Sequence, residues 1–107
     1  MDYGCGQSRD ADWFGGDRWD PNPALGLTRP TGHYGYITCT YVLNVVDLET
    51  EREILGDILL LLAPGGTAFI TVRRDVPRAG TVTQRWSEPP LESVRRAYEF
   101  EIFRLKA

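Results

Sequence analysis

Two glycines one residue apart, in Asp2-Tyr3-Gly4-Cys5-Gly6-Gln7, and a carboxylate a short way downstream, Asp20, are the residues whose types and spacing could do chemistry. Glycines where a strand turns into a helix let the backbone approach a ligand closely, and the N–H groups that follow can bind an anionic group. An acid closing the next strand can accept both hydroxyls of a ribose. Together they would recognise a nucleoside. A dinucleotide fingerprint needs a third glycine, but Ser8 and Arg9 follow Gly6, and Asp20 arrives sooner than the roughly 20 residues such sites leave. On this motif alone, a tight turn with an incidental solvent-facing aspartate is an equal reading.

Other reactive side chains are sparse. His33 is the single histidine and falls in a loop, where solvation is the ordinary fate. Tyr34, Tyr41 and Asn44 are the remaining acid–base candidates; Tyr41 is the best placed, with a packed aromatic as the competing role. Arg73-Arg74-Asp75, with Arg85, Arg95 and Arg96, could hold a phosphate or carboxylate, although a salt-bridged strand end is the preferred reading. Trp13, Trp19 and Trp86 could stack on bases, or simply fill a small core. Cys5 and Cys39 fall on strands that would be neighbours, but two thiols without further Cys or His partners make no zinc site, so no metal is expected.

The elements that must position these residues are legible. Asp47 is a good N-cap, Glu49 and Glu51 suit the first turn of a helix, and Ile54, Leu55, Ile58, Leu59, Leu61 and Leu62 recur at helical spacing. Pro64-Gly65-Gly66 is expected to stop that helix. The β-branched and aromatic runs 36–41 and 67–72 read as strands on either side, the first followed by the apolar run 42–46. Strand, helix, strand implies a βαβ unit with parallel strands. Runs 81–86 and 97–105 read as two further strands with no helix between them, hence an antiparallel hairpin at the sheet edge. Upstream, Met1-Asp2-Tyr3 is a strand stump, residues 8–14 a short helix ended by Gly15-Gly16, and Arg18-Trp19-Asp20 the next strand.

With 107 residues and ordinary globular composition, 42% hydrophobic and 25% charged, the chain reads as a single domain over 1–107 rather than a disordered segment. The net charge of -3 argues against a general trap for nucleic acid. The charge is uneven: residues 1–72 carry 4 Lys/Arg against 10 Asp/Glu, and residues 73–107 carry 8 against 5. That pattern fits a cation handled in one half and an anion in the other, or two differently solvated surfaces. No apolar run nears the roughly 20 residues of a membrane span, and the start has no export signal, so no membrane partner, a cytoplasmic location and free thiols are expected.

Four segments carry a resemblance. Asp2-Tyr3-Gly4-Cys5-Gly6 resembles the first motif of class I S-adenosylmethionine-dependent methyltransferases, and Trp19-Asp20-Pro21-Asn22-Pro23 their second. The run Tyr34-Gly35-Tyr36-Ile37-Thr38-Cys39-Thr40-Tyr41-Val42-Leu43-Asn44-Val45 is similar to their fourth-strand motif, and Leu62-Ala63-Pro64-Gly65-Gly66-Thr67-Ala68 to the segment before their fifth strand. The resemblance implies a minimal α/β, Rossmann-like fold with a mostly parallel sheet and an antiparallel C-terminal hairpin. It implies S-adenosyl-L-methionine as cofactor, with Asp2, Gly4, Cys5 and Gly6 facing its methionine part and Asp20 its ribose. By the same resemblance Trp19 and Pro21 flank the adenine, while Thr40, Tyr41 and Val42 hold the methionine end, with Tyr41 the catalytic candidate. The sulfonium is already a strong electrophile, so such a protein mainly orients the acceptor and excludes water.

The departures set further expectations. The first strand lacks an apolar start, no lid precedes it, and the interval between Asp20 and Tyr36 has no room for the helix, strand and helix usual in the family. An exposed sheet edge follows, with a homodimer as the expected cover. The acceptor is left open between small molecule and nucleic acid; Thr-Tyr-Val-Leu at 40–43 disfavours the amino-methylating nucleic-acid subclass. A non-catalytic cofactor-binding module that needs a partner chain is the alternative to an enzyme, and a dinucleotide-binding domain ranks third.

Overall fold

The computed structural model describes residues 1–4 and 17–107. The expected helix over 8–14, and the positions of Cys5, Gly6 and Trp13, lie outside the described residues.

Six strands form one sheet. β1 is Asp2–Tyr3, β2 Arg18–Trp19, β3 Tyr34–Thr40, β4 Leu62–Arg73, β5 Glu92–Arg96 and β6 Phe100–Lys106, in the order β2-β1-β3-β4-β6-β5. The first three pairings are parallel and the last two antiparallel. This is the α/β arrangement expected: a mostly parallel sheet closed by an antiparallel C-terminal hairpin.

Helix α1, Leu48–Leu61, links β3 to β4. Its N-cap is Asp47, whose Oδ1 accepts the Thr50 N–H at 2.7 Å, and Glu49 and Glu51 sit in the first turn, where the dipole favours them. Ile54, Ile58 and Leu61 are buried against the sheet with Ile37, Ala68, Ile70 and Val72. The apolar stripe is narrower than the sequence reading: Leu59 points to solvent and Leu55 is half-buried. The helix also ends sooner, at Leu61 rather than at the Pro-Gly-Gly segment. Leu62 is already extended (φ -75°, ψ 136°), and proline at 64 disfavours helical backbone at Ala63. Between the pairs Tyr34↔Leu62 and Tyr36↔Thr67 the β4 chain loops outward. Gly65 takes φ 76° there, and a Cβ on Gly66 would stand 2.9 Å from two backbone oxygens, so both glycines are demanded by the bulge.

Two strand assignments need correction. β3 stops at Thr40, because Tyr41 adopts φ 59° and turns the chain; Leu43–Val45 then forms a 3-10 turn. Residues 81–86 form no strand. The hairpin is β5 with β6, and residues 97–99 are its turn. The 81–86 segment is captured by side-chain chemistry that outweighs its strand propensity. Arg85 N–H donates to Asn44 O, its guanidinium donates to the carbonyls of Val46 and Leu43 and to the Glu51 carboxylate, and Ser87 Oγ donates to that same carboxylate. β5 is exposed along its whole length and carries an irregularity between Ser93 and Arg95.

Among the described residues no helix is long and apolar enough to cross a membrane.

The helix packing makes a testable contrast. Ile58→Ala removes a fully buried side chain beneath the sheet and lowers stability by about 2–5 kcal/mol, whereas Leu59→Ala, one residue on and exposed, costs less than about 1 kcal/mol. Urea unfolding followed by circular dichroism separates the two; equal losses contradict the packing described.

Candidate functional site

Parallel pairing places the carboxyl ends of β1, β2 and β3 on one side of the sheet. From β1 the chain departs toward β2 on one side and returns as β3 on the other, so the strand order reverses at β1. In open α/β sheets that point is where a crevice opens. A cleft of about 990 Å³ lies there, a size in the range of small-molecule sites.

Local backbone geometry shapes its floor. β1 ends at Gly4 with φ 73°, and β3 ends at Tyr41 with φ 59°. Positive φ is ordinary for glycine and strained for an aromatic residue, and such strain persists only where neighbours impose it. Here the Tyr41 N–H donates to Thr71 O at 2.8 Å, anchoring the turn to β4. The two strand ends touch: a Cβ on Gly4 would sit 2.5 Å from Val42 Cγ2. Gly4 is therefore required twice over, by its dihedral angle and by the contact with Val42.

Of the sequence-predicted residues, Gly4, Asp20, Pro21, Thr40, Tyr41 and Val42 line this one cleft. Asp20 closes β2, and its Oδ1 accepts the Asn22 N–H at 2.9 Å. Asp2 and Trp19 do not line it. Asp2 is buried and accepts the Thr38 hydroxyl at 3.2 Å, while Trp19 packs partly against the core with the Arg29 guanidinium over its ring. Tyr41 is exposed at the cleft, and His33 is exposed in its loop.

Sequence reasoning missed the opposite wall. Thr50, Glu53, Asp57 and Leu60 project from the flank of α1 beside its buried stripe. Their three- and four-residue spacing is the signal that could have found them. Asp57 accepts the Tyr3 hydroxyl at 2.5 Å and receives a two-pronged ion pair from Arg29. The Arg29 hydrogen bonds hold the Asp57 carboxyl below its usual range, burial opposes them, and Tyr3 adds to the lowering. Burial, then the Asp57 hydrogen bond, pushes the Tyr3 phenol above its usual range.

The basic residues at the end of β4 and just beyond it are committed elsewhere. Arg73 forks onto Asp75 with two 2.8 Å hydrogen bonds, and Arg74 is buried against Glu101 at 2.8 Å and against the Trp86 ring. The salt-bridged strand end is what the geometry supports. Among the described residues no group of three or more His, Cys, Asp or Glu could hold a metal. Cys39 is fully buried in β3, and burial, with the charges of Asp2 and Asp20 adding, pushes its thiol up to about 12.

No family model and no curated protein matches the chain. Among solved structures, the chain is similar to PKMT2 from Rickettsia typhi in complex with AdoHcy, at 22% sequence identity and a TM-score of 0.45. The match covers 65% of this chain and only 20% of that one.

Two measurements check the electrostatics. Because the Asp57 carboxyl is held low, its contribution is complete above its unfolded value of about 3.9 and is lost as pH falls through the folded value. Asp57→Asn therefore flattens the acid limb of a stability–pH curve, read from urea midpoints at neutral pH and near pH 3. Independently, a Cys5→Ser variant should show negligible reaction of Cys39 with a thiol reagent at pH 8 until urea unfolds the chain; fast labelling of the folded protein contradicts its burial.

Proposed function

We propose that the cleft binds S-adenosylmethionine and that the chain serves a methyl transfer to an acceptor whose identity the cleft does not specify. The observation carrying this reading is convergence. Gly4, Asp20 and residues 40–42, far apart in sequence and each within a motif of the resemblance, meet in one crevice at the carboxyl ends of three parallel strands.

The residues present fit such a ligand. The space is large enough, its floor is apolar at Val42, Val45 and Ile54, and the carboxylates of Asp20 and Glu53 suit a cationic molecule. When bound, the cofactor supplies an electrophilic methyl group on its sulfonium. Asp20 is assigned to the ribose hydroxyls, and the side-chain-free backbone at Gly4 admits close approach. Pro21 and the apolar floor hold a flat aromatic ring and exclude water. Tyr41, whose strained backbone presents its side chain at the cleft, is assigned to orienting the acceptor. Proton removal by Tyr41 is not required by the assignment, since orientation in line with a reactive methyl group already carries much of the acceleration.

The second reading, a cofactor-binding module completed by a partner chain, is favoured by one observation. Residues 21–33 contain a single 3-10 turn, and none of them is fully buried, so one side of the cleft is built by an irregular strap.

S-adenosylmethionine and S-adenosylhomocysteine should raise the melting temperature, while NAD and ATP should not. Stabilisation by NAD alone replaces the proposal with dinucleotide binding. Asp20→Ala should weaken S-adenosylhomocysteine by about 1–3 kcal/mol in calorimetry, as expected for a lost charge-assisted partner; unchanged affinity removes Asp20 from the site. Labelled methyl donor with fractionated extract separates enzyme from module: binding without transferred label favours the module.

A further inference from the structure

The strap over residues 21–33 begins at the cleft and returns to β3. Its one regular feature is the 3-10 turn Pro23–Leu25, capped by the Asn22 side chain on the Ala24 N–H and closed by Gly26 at φ 62°. A run with few buried contacts opens at low free-energy cost unless something pins it.

Arg29 is that pin. Its Nη1 donates to Asp57 Oδ2 at 3.0 Å and its Nη2 to Asp57 Oδ1, while the guanidinium lies 5.8 Å from the centre of the Trp19 ring, next to Asp20. Asp57 also holds the Tyr3 hydroxyl. One guanidinium thus joins the end of β2, the flank of α1 and, through Asp57, the end of β1. Tyr3, Asp20 and Asp57 are three walls of the same cleft.

We infer that Arg29 is a positioning residue for the cleft: its fork on Asp57 and its seat on Trp19 fix the strap, and through it the Asp20-Pro21-Asn22 wall, before any ligand arrives. A fork has direction that a single ammonium lacks, so it sets the path of the strap as well as its distance from α1. A wall already ordered spares the ligand the entropy of ordering it. The affinity consequence rests on the proposed function; the structural consequence is read without ligand.

In the ligand-free protein, Arg29→Met and Asp57→Asn should each speed amide hydrogen exchange severalfold across residues 20–33 while β3 and β4 keep their protection. In calorimetry with S-adenosylhomocysteine, each variant should bind about fivefold more weakly, the double variant no worse than either single one, and Arg29→Lys should recover part of the loss. Unchanged exchange over 20–33 in ligand-free Arg29→Met protein overturns the inference, as do additive losses in the double variant. If the unmodified protein binds no S-adenosylhomocysteine but the exchange pattern appears, the proposed function falls and the positioning role of Arg29 stands.

Discussion

A carboxylate at the N-terminal end of an apolar helix face constrains much of this small structure. Glu51 is buried on α1 in line with Ile54, Ile58 and Leu61. An unpaired charge there would cost several kcal/mol, so its partners must come with it. They come from residues far along the chain: the Arg85 guanidinium at 2.7 Å and the Ser87 hydroxyl. Arg85 also caps the carbonyls of Leu43 and Val46, and Asn44 binds the backbone of Arg73 and Arg85 from the other direction. The segment after β4 is thereby drawn back over the start of α1. The helix is fixed against the sheet, and its neighbouring flank becomes a wall of the cleft.

The same economy operates at the strand ends. A sheet of this order leaves a crevice wherever neighbouring strands send their chains in opposite directions, but the crevice must be kept from collapsing. Gly4 against Val42 brings the floors of β1 and β3 together, while the turn at Tyr41 carries the following chain away toward Leu43. The Arg29–Asp57–Tyr3 cluster spans the far side. Close packing below and ionic struts above leave a space with an apolar base and an acidic rim, in keeping with the acidic first 72 residues.

What could be read from the sequence was what depends on local rules. Asp47 as a cap, α1, the strands around it and the antiparallel end of the sheet follow from periodicity, propensity and Pro-Gly placement. The grouping of Gly4, Asp20 and residues 40–42 was legible because strand-end motifs in a parallel sheet have one place to meet. What escaped depends on long-range pairing. Thr81, Val82, Thr83 and Trp86 favour a strand, yet Arg85 has a buried carboxylate to satisfy, and that interaction wins over propensity. Pro64 bars helical backbone only at Ala63, and α1 ends before that, with Leu62 already extended and entering β4. Arg29 and Asp57 stand on elements with no shared pattern, and only the fold reveals them as partners.

The outer edge of the hairpin has a consequence of its own. β5 exposes all five residues, three of them charged, and its pairing slips between Ser93 and Arg95. A flat, regular margin would offer a row of unpaired amides on which another polypeptide could crystallise as an added ribbon. Here the kink breaks the repeat, and the Glu92, Arg95 and Arg96 side chains would be desolvated by any newcomer. Irregularity and charge along β5 therefore disfavour the addition of a further strand at this rim.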